Sequence, residues 1–74
     1  MQIYKRKTTY HAAEQWDGEP HRHVSTEAGN ATVKGRDGHL HIYKGDWIVE
    51  EVYAPGSGYF PVHPETFAKE YEPA

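Results

Sequence analysis

The sequence contains no cysteine. This absence excludes a disulfide framework, a cysteine zinc site and catalysis by a thiol. The chain also has no apolar run near the roughly 20 residues that span a bilayer. Because the residues after Met1 are polar, no signal peptide is predicted either. These absences together predict a cytoplasmic protein that makes no membrane contact.

The chain also lacks an excess of positive charge. Its net charge at pH 7 is −3, which argues against a globally basic nucleic-acid binder. Aliphatic side chains are few, whereas aromatic residues make up 14% of the chain, so rings must supply much of the core. The 74 residues predict a single domain, 1–74.

Strand-favouring residues dominate the N-terminal part of the chain. Residues 7–16 predict a strand and residues 17–20 a turn. Residues 21–30 carry the weakest pattern, which predicts a loop or one irregular helical turn begun by Pro20.

Two turn signals follow. Asp37-Gly38 predicts a hairpin that pairs Arg36 with His39, and so Val33 with Ile42. A turn at Lys44-Gly45 then pairs Ile42 with Trp47 and Leu40 with Val49. Because side chains alternate faces along a strand, both turns predict a three-stranded meander with one apolar face. That face consists of Val33, Leu40, Ile42, Trp47 and Val49.

The C-terminal part predicts a short edge strand and a helix. Pro61 cannot donate to a sheet ladder, so residues 59–62 favour an edge strand. Residues 64–71 predict a helix with Pro64 at its first position and with Phe67 and Tyr71 on one face. This face should dock on Trp16 or Trp47. The predicted fold is therefore α+β: a small curved antiparallel sheet of four or five strands, or a partly open barrel, with a C-terminal helix.

The histidines raise the possibility of a metal site. His39 and His41 share one strand face, and the predicted register places Glu50 opposite His39. Two imidazoles and a carboxylate suit iron or zinc. In the alternative interpretation Leu40 and Ile42 take the core, and both histidines face solvent. No cofactor is predicted under that interpretation.

Two further features suggest binding. The basic run at residues 4–7, with Tyr10 and Arg22, is a candidate nucleic-acid patch; a solvated strand end explains it equally, so nucleic acid is not the expected partner. For binding a protein or small ligand, the candidate residues are the rings of Trp16, Tyr53 and Tyr59. They lie in or beside the predicted loops at 17–30 and 54–58.

Two segments resemble a family of small proteins encoded by tailed phages and prophages. In residues 4–18 the matching positions are Tyr4, Lys5, Lys7, Ala13, Gln15, Trp16 and Gly18. In residues 44–49 and 59–73 they are Gly45, Asp46, Trp47, Ile48, Phe60, Pro61, Pro64, Phe67, Lys69, Tyr71 and Glu72. The resemblance covers about half of the chain.

This resemblance implies a small phage or prophage accessory protein in the cytoplasm of a host bacterium. It is expected to act without catalysis, by binding a host or phage protein or a small ligand, as a monomer or a homodimer. The metal site and the nucleic-acid patch remain the alternatives.

Overall fold

A computed structural model describes residues 1–36, 38–50 and 58–74. It confirms a small α+β domain, with antiparallel strands and a C-terminal helix. The strands form two sheets instead of a single sheet or a barrel. The elements are β1 (Gln2–Arg6), β2 (Thr9–Gln15), β3 (Val24–Glu27), β4 (Asn30–Gly35), β5 (Gly38–His41), β6 (Trp47–Glu50), β7 (Tyr59–Val62), α1 (Pro64–Glu70) and β8 (Glu72–Pro73).

The larger sheet has the strand order β7-β6-β2-β1-β8. Its first hairpin pairs Arg6 with Thr9 across a turn at residues 7–8. Lys7 adopts φ 56°, a left-handed conformation that is uncommon outside glycine. The strand predicted at 7–16 is therefore present as β2, but it starts after this turn, and β1 precedes it.

The smaller sheet has the order β3-β4-β5. The prediction of a loop or helical turn at 21–30 is wrong, because β3 occupies residues 24–27 and a turn at Ala28 and Gly29 leads into β4. Both turn residues have positive φ, 50° and 79°. Such turns match the twist of paired strands, which explains a tight hairpin at this point.

The predicted pairing between β4 and β5 is wrong by two residues. Gly35 pairs with Gly38, so Val33 lies opposite Leu40 instead of Ile42. The chain reverses between these two glycines and not at the Asp37-Gly38 pair; Asp37 itself lies outside the described residues. A shift of two keeps every side chain on its predicted face, because strand faces alternate with period two.

The predicted meander is also wrong. A turn does connect residues 43–46, where the Asp46 amide donates to the Tyr43 carbonyl at 2.9 Å. However, β6 pairs with β2 and β7 and not with β5. The turn instead bonds to the end of β2: the Gly45 amide donates to the Trp16 carbonyl, and the Trp16 amide to the Asp46 carbonyl, both at 2.9 Å. The chain therefore changes sheets here.

This change of sheets splits the predicted apolar face. Val33 and Ile42 share a core with Ile48, whereas Val49 lies in a second core that Trp47 flanks. Leu40 is exposed. The side chain that joins the first core is therefore Ile48, one residue away from the predicted Trp47, and β6 contributes to both cores.

The C-terminal predictions are confirmed. Strand β7 contains Pro61 and lies at an edge of the larger sheet. Helix α1 begins at Pro64 and ends one residue before the predicted Tyr71. Of the two tryptophans predicted to receive it, Trp47 does so: its ring and that of Phe67 stack with centroids 3.9 Å apart.

The two cores lie on opposite faces of the larger sheet. Helix α1 covers one face, where the buried residues are Ala13, Val49, Val62, Phe67 and Tyr71. The smaller sheet packs on the other face, where the buried residues are Trp16, Val33, Ile42 and Ile48. Among the described residues, this second contact involves the β6–β7 side of the larger sheet and leaves β1 open.

Candidate functional site

The open part of the larger sheet carries two large exposed apolar side chains. Ile3 lies opposite Ala12, and Lys5 lies opposite Tyr10, so these four side chains share one face. Ile3 is 52% exposed and Tyr10 is 55% exposed. We call this surface the open face; it comprises Ile3, Lys5, Tyr10 and Ala12.

The basic run at residues 4–7 is divided between the two faces of β1. Lys5 belongs to the open face, whereas Arg6 projects toward the helix side. There Arg6 Nη2 donates to Glu70 Oε1 at 2.7 Å, and the guanidinium lies 5.9 Å from the centre of the Tyr71 ring. Arg6 is therefore engaged within the protein, which removes a central residue of the predicted nucleic-acid patch.

A group of titratable side chains lies beside the open face. Glu14 follows Ala12 on the same face of β2, and its carboxylate is hydrogen-bonded to His21 Nε2. The His23 ring stacks on Tyr59, with centroids 4.1 Å apart and planes inclined by 25°. We call Glu14, His21, His23 and Tyr59 the histidine latch, because the two histidines connect residues 17–23 to the larger sheet.

The environment shifts three pKa values in the latch region. The hydrogen bond from His21 lowers the pKa of Glu14. Burial lowers the pKa of His23, helped by the neighbouring His21 and Arg22. Burial also raises the pKa of Tyr59, as does the nearby Glu50. These shifts favour an ionised Glu14, a neutral His23 and a protonated Tyr59 hydroxyl at neutral pH.

One histidine is buried in the helix-side core. His11 Nδ1 donates to the Glu50 carbonyl at 3.1 Å, and Nε2 lies 3.1 Å from the Thr9 hydroxyl. The Thr9 hydroxyl also lies 2.9 Å from the Arg6 carbonyl, to which it can donate. His11 therefore has a hydrogen-bond partner at each ring nitrogen, which marks it as a structural residue.

The predicted metal set does not come together. Glu50 lies opposite Tyr59, and His39 lies opposite Lys34, so the predicted pairing of His39 with Glu50 is wrong. That pairing was predicted from a three-stranded meander, in which β5 would pair with β6; β6 instead belongs to the larger sheet. Residues 1–36, 38–50 and 58–74 contain no cluster of three histidine or carboxylate side chains that could hold a metal ion.

His39 and His41 do share a strand face, as predicted. They line a shallow depression of about 840 Å³ on the outer side of the smaller sheet. Its other lining residues are Ser25, Thr26, Glu27, Ala28, Asn30 and Thr32. Most of these lining residues have polar side chains, which is typical of the solvated face of an antiparallel sheet.

The three predicted binding rings have different outcomes. Trp16 is buried, and its Nε1 donates to the Glu19 carbonyl at 2.8 Å, so it is a core residue. Tyr59 is half-buried under His23. Tyr53 lies outside the described residues, as do residues 54–57 of the predicted loop. The sequence prediction overlooked Ile3 and named Tyr10 only as part of the nucleic-acid patch. The signal that joins these two residues is the alternation that appears once two strands are placed around Lys7.

Comparisons of the chain with protein-family models, with curated proteins and with solved structures give no match. The described residues include no helix long and apolar enough to cross a membrane. The assignment of a function therefore depends on the surfaces described above.

Proposed function

We propose that this protein is a small non-catalytic accessory protein of a tailed phage or prophage, which binds a protein partner through the open face. The observation that carries the proposal is the pair Ile3 and Tyr10, two large apolar side chains more than half exposed on adjacent strands. The resemblance of residues 4–18, 44–49 and 59–73 to small phage proteins supports the biological setting. The site of action is the cytoplasm of the host.

The shape and charge of the open face indicate the kind of partner. It is part of a sheet face and not a cleft, so a protein surface fits it better than a small ligand does. Tyrosine is among the residues enriched at the apolar centre of an interface. Lys5 lies directly across from Tyr10, so the partner should present an apolar side chain flanked by a carboxylate.

The first experiment compares three tagged proteins in affinity capture from nuclease-treated lysate of infected host cells. These are the wild type, an Ile3→Ser/Tyr10→Ser variant and a Leu40→Ser/Tyr43→Ser variant. Leu40 and Tyr43 are 44% and 65% exposed and lie off the open face, so they form a matched control. We expect the wild type and the control to capture one and the same protein, and the open-face variant to lose it.

The second experiment measures affinity for the captured protein after its purification. The open-face substitutions should weaken binding by about thirtyfold or more, as for residues at the centre of an interface. Lys5→Glu should slow association and reduce its dependence on salt. Equal capture by all three proteins would contradict the proposal. If the wild type forms a homodimer that the open-face variant alone fails to form, this surface binds a second copy and the proposal is overturned. Binding of nucleic acid through Lys5 would overturn it as well.

A further inference from the structure

Residues 17–23 carry the chain from the larger sheet to the smaller one. Three contacts hold this linker. Trp16 Nε1 donates to the Glu19 carbonyl, His21 bonds to Glu14 of β2, and His23 stacks on Tyr59 of β7. The linker is thus attached to two different strands of the larger sheet before β3 begins.

The two histidines are held by different contacts. His21 Nδ1 accepts a hydrogen bond from the His23 amide at 3.1 Å, so this nitrogen carries no proton in the structure. Nε2 therefore carries the ring proton and donates to the Glu14 carboxylate, a charge-assisted hydrogen bond that holds His21 on β2.

His23 has surroundings that act on a positive charge in both directions. The face of the Tyr59 ring attracts a cation, whereas the His21 ring 5.5 Å away and the adjacent Arg22 oppose one. Glu50 and Glu14 are the negative groups that act on it. Burial and the two basic neighbours outweigh these carboxylates, since the net effect is a lowered pKa. An imidazolium at this position gains by moving into water.

We propose that protonation of His23 opens the histidine latch. On acidification the His23 ring leaves Tyr59 and the start of β3 separates from the larger sheet, while Glu14 keeps His21 in place. The opening exposes the Tyr59 ring, which lies on the same face of the larger sheet as Glu14 with β6 between their strands. The opening of the latch does not depend on the proposed function, because it follows from contacts within the chain.

The test is NMR spectroscopy of the whole chain between about pH 7.5 and about pH 5, the range in which free histidine titrates. The Val24 amide donates to the His21 carbonyl at 3.1 Å and reports the start of β3. We expect its protection from hydrogen exchange, corrected for the intrinsic rate, to be partly lost on acidification. The Tyr59 ring signals should shift as stacking is lost, and the Trp16 indole should stay protected.

Two variants separate the latch from general acid sensitivity. His23→Phe keeps a flat ring on Tyr59 without a titrating group, so it should remove the acid response. His41→Phe places the same substitution on the outer face of the smaller sheet and should respond like the wild type. An unchanged Tyr59 signal in the wild type, a wild-type response in His23→Phe, or a parallel loss of protection at Ala13 would each overturn the proposal.

Discussion

The indole ring of Trp47 lies parallel to the Phe67 ring, with centroids 3.9 Å apart and planes inclined by only 1°. Phe67 also stacks on Tyr71 at 4.6 Å, and Tyr4 meets Phe67 edge-on at 5.0 Å. These contacts attach α1 to β6 and β1 together. Phe67 makes a ring contact with each of the other three aromatic residues, so it is the central residue of the helix-side core.

Phe67→Ala should therefore be among the most destabilising single substitutions in the chain. Emptying a buried aromatic site costs about 3–5 kcal/mol, and Trp47→Ala should cost less because Trp47 is only half-buried. Tyr43→Ala, at an exposed position, should change the unfolding free energy by less than about 0.5 kcal/mol. Urea unfolding followed by circular dichroism measures all three. A larger loss for Trp47→Ala than for Phe67→Ala would contradict this assignment.

The C-terminal segment should be required for folding. A chain that ends at Pro61 lacks Val62, Phe67 and Tyr71, all of which are buried in the helix-side core. The face of the larger sheet that α1 covers would then be exposed to water, so we expect the truncated chain to lose dispersed amide signals in NMR spectra. Retention of native dispersion would show that the sheets fold without α1.

Asp46→Ala should be destabilising, although it removes a charged side chain that is almost completely buried. Asp46 is 4% exposed; its Oδ2 accepts from the Tyr43 amide at 3.0 Å, and its Oδ1 lies 3.1 Å from His63 Nδ1. Loss of the acceptor leaves the Tyr43 amide without this partner, at a cost of about 1–3 kcal/mol. Asp46→Asn keeps an acceptor oxygen and should cost less. Equal unfolding free energies for the alanine and asparagine variants would exclude this role.

Stability should fall on acidification in two separate steps. The folded pKa of His23 is lowered, so its contribution is fully present above the unfolded value of 6.5 and is lost as the pH falls through the folded pKa. The folded pKa of Glu14 is also lowered, so its contribution is lost in a second range that begins below 4.5. Urea midpoints over this pH range measure both steps. His23→Phe should remove only the first step, and Glu14→Gln should remove only the second.

Zinc should give no stabilisation that depends on His39. The structure separates His39 and His41 from Glu50, so two imidazoles remain of the predicted ligand set. Melting curves at about pH 8, where imidazole is neutral, with zinc or with chelator, provide the test. A rise in melting temperature with zinc that His39→Ala abolishes would restore the metal interpretation.

The elements with strong local signals were predicted well. Pro64 marked the start of α1, the spacing of Phe67 and Tyr71 defined its buried face, and Pro61 placed β7 at an edge. Each of these signals acts within a few residues of itself. The α+β class followed from them.

The errors arose where distant parts of the chain decide the structure. The turn at residues 43–46 exists, but its backbone bonds go to Trp16, some 30 residues earlier, and no local pattern predicts that partner. Lys7 and Ala28 also adopt positive φ, although neither residue is glycine. The open face was overlooked for both reasons, because it exists only once β1 is folded onto β2 across the turn at Lys7 and the smaller sheet is placed elsewhere.

The pairing of β1 with β8 joins opposite ends of this sequence: Tyr4 lies opposite Pro73, and Lys5 lies opposite Glu72. Contacts between residues so far apart close long loops, whose entropy must be lost before the contact gives any stabilisation. The β1–β2 hairpin needs only a short loop, so it can form early, with its helix-facing side in water. That side is covered only when residues 67–73 are available, so the sheet should be completed late and more slowly than a helical bundle of the same size would fold.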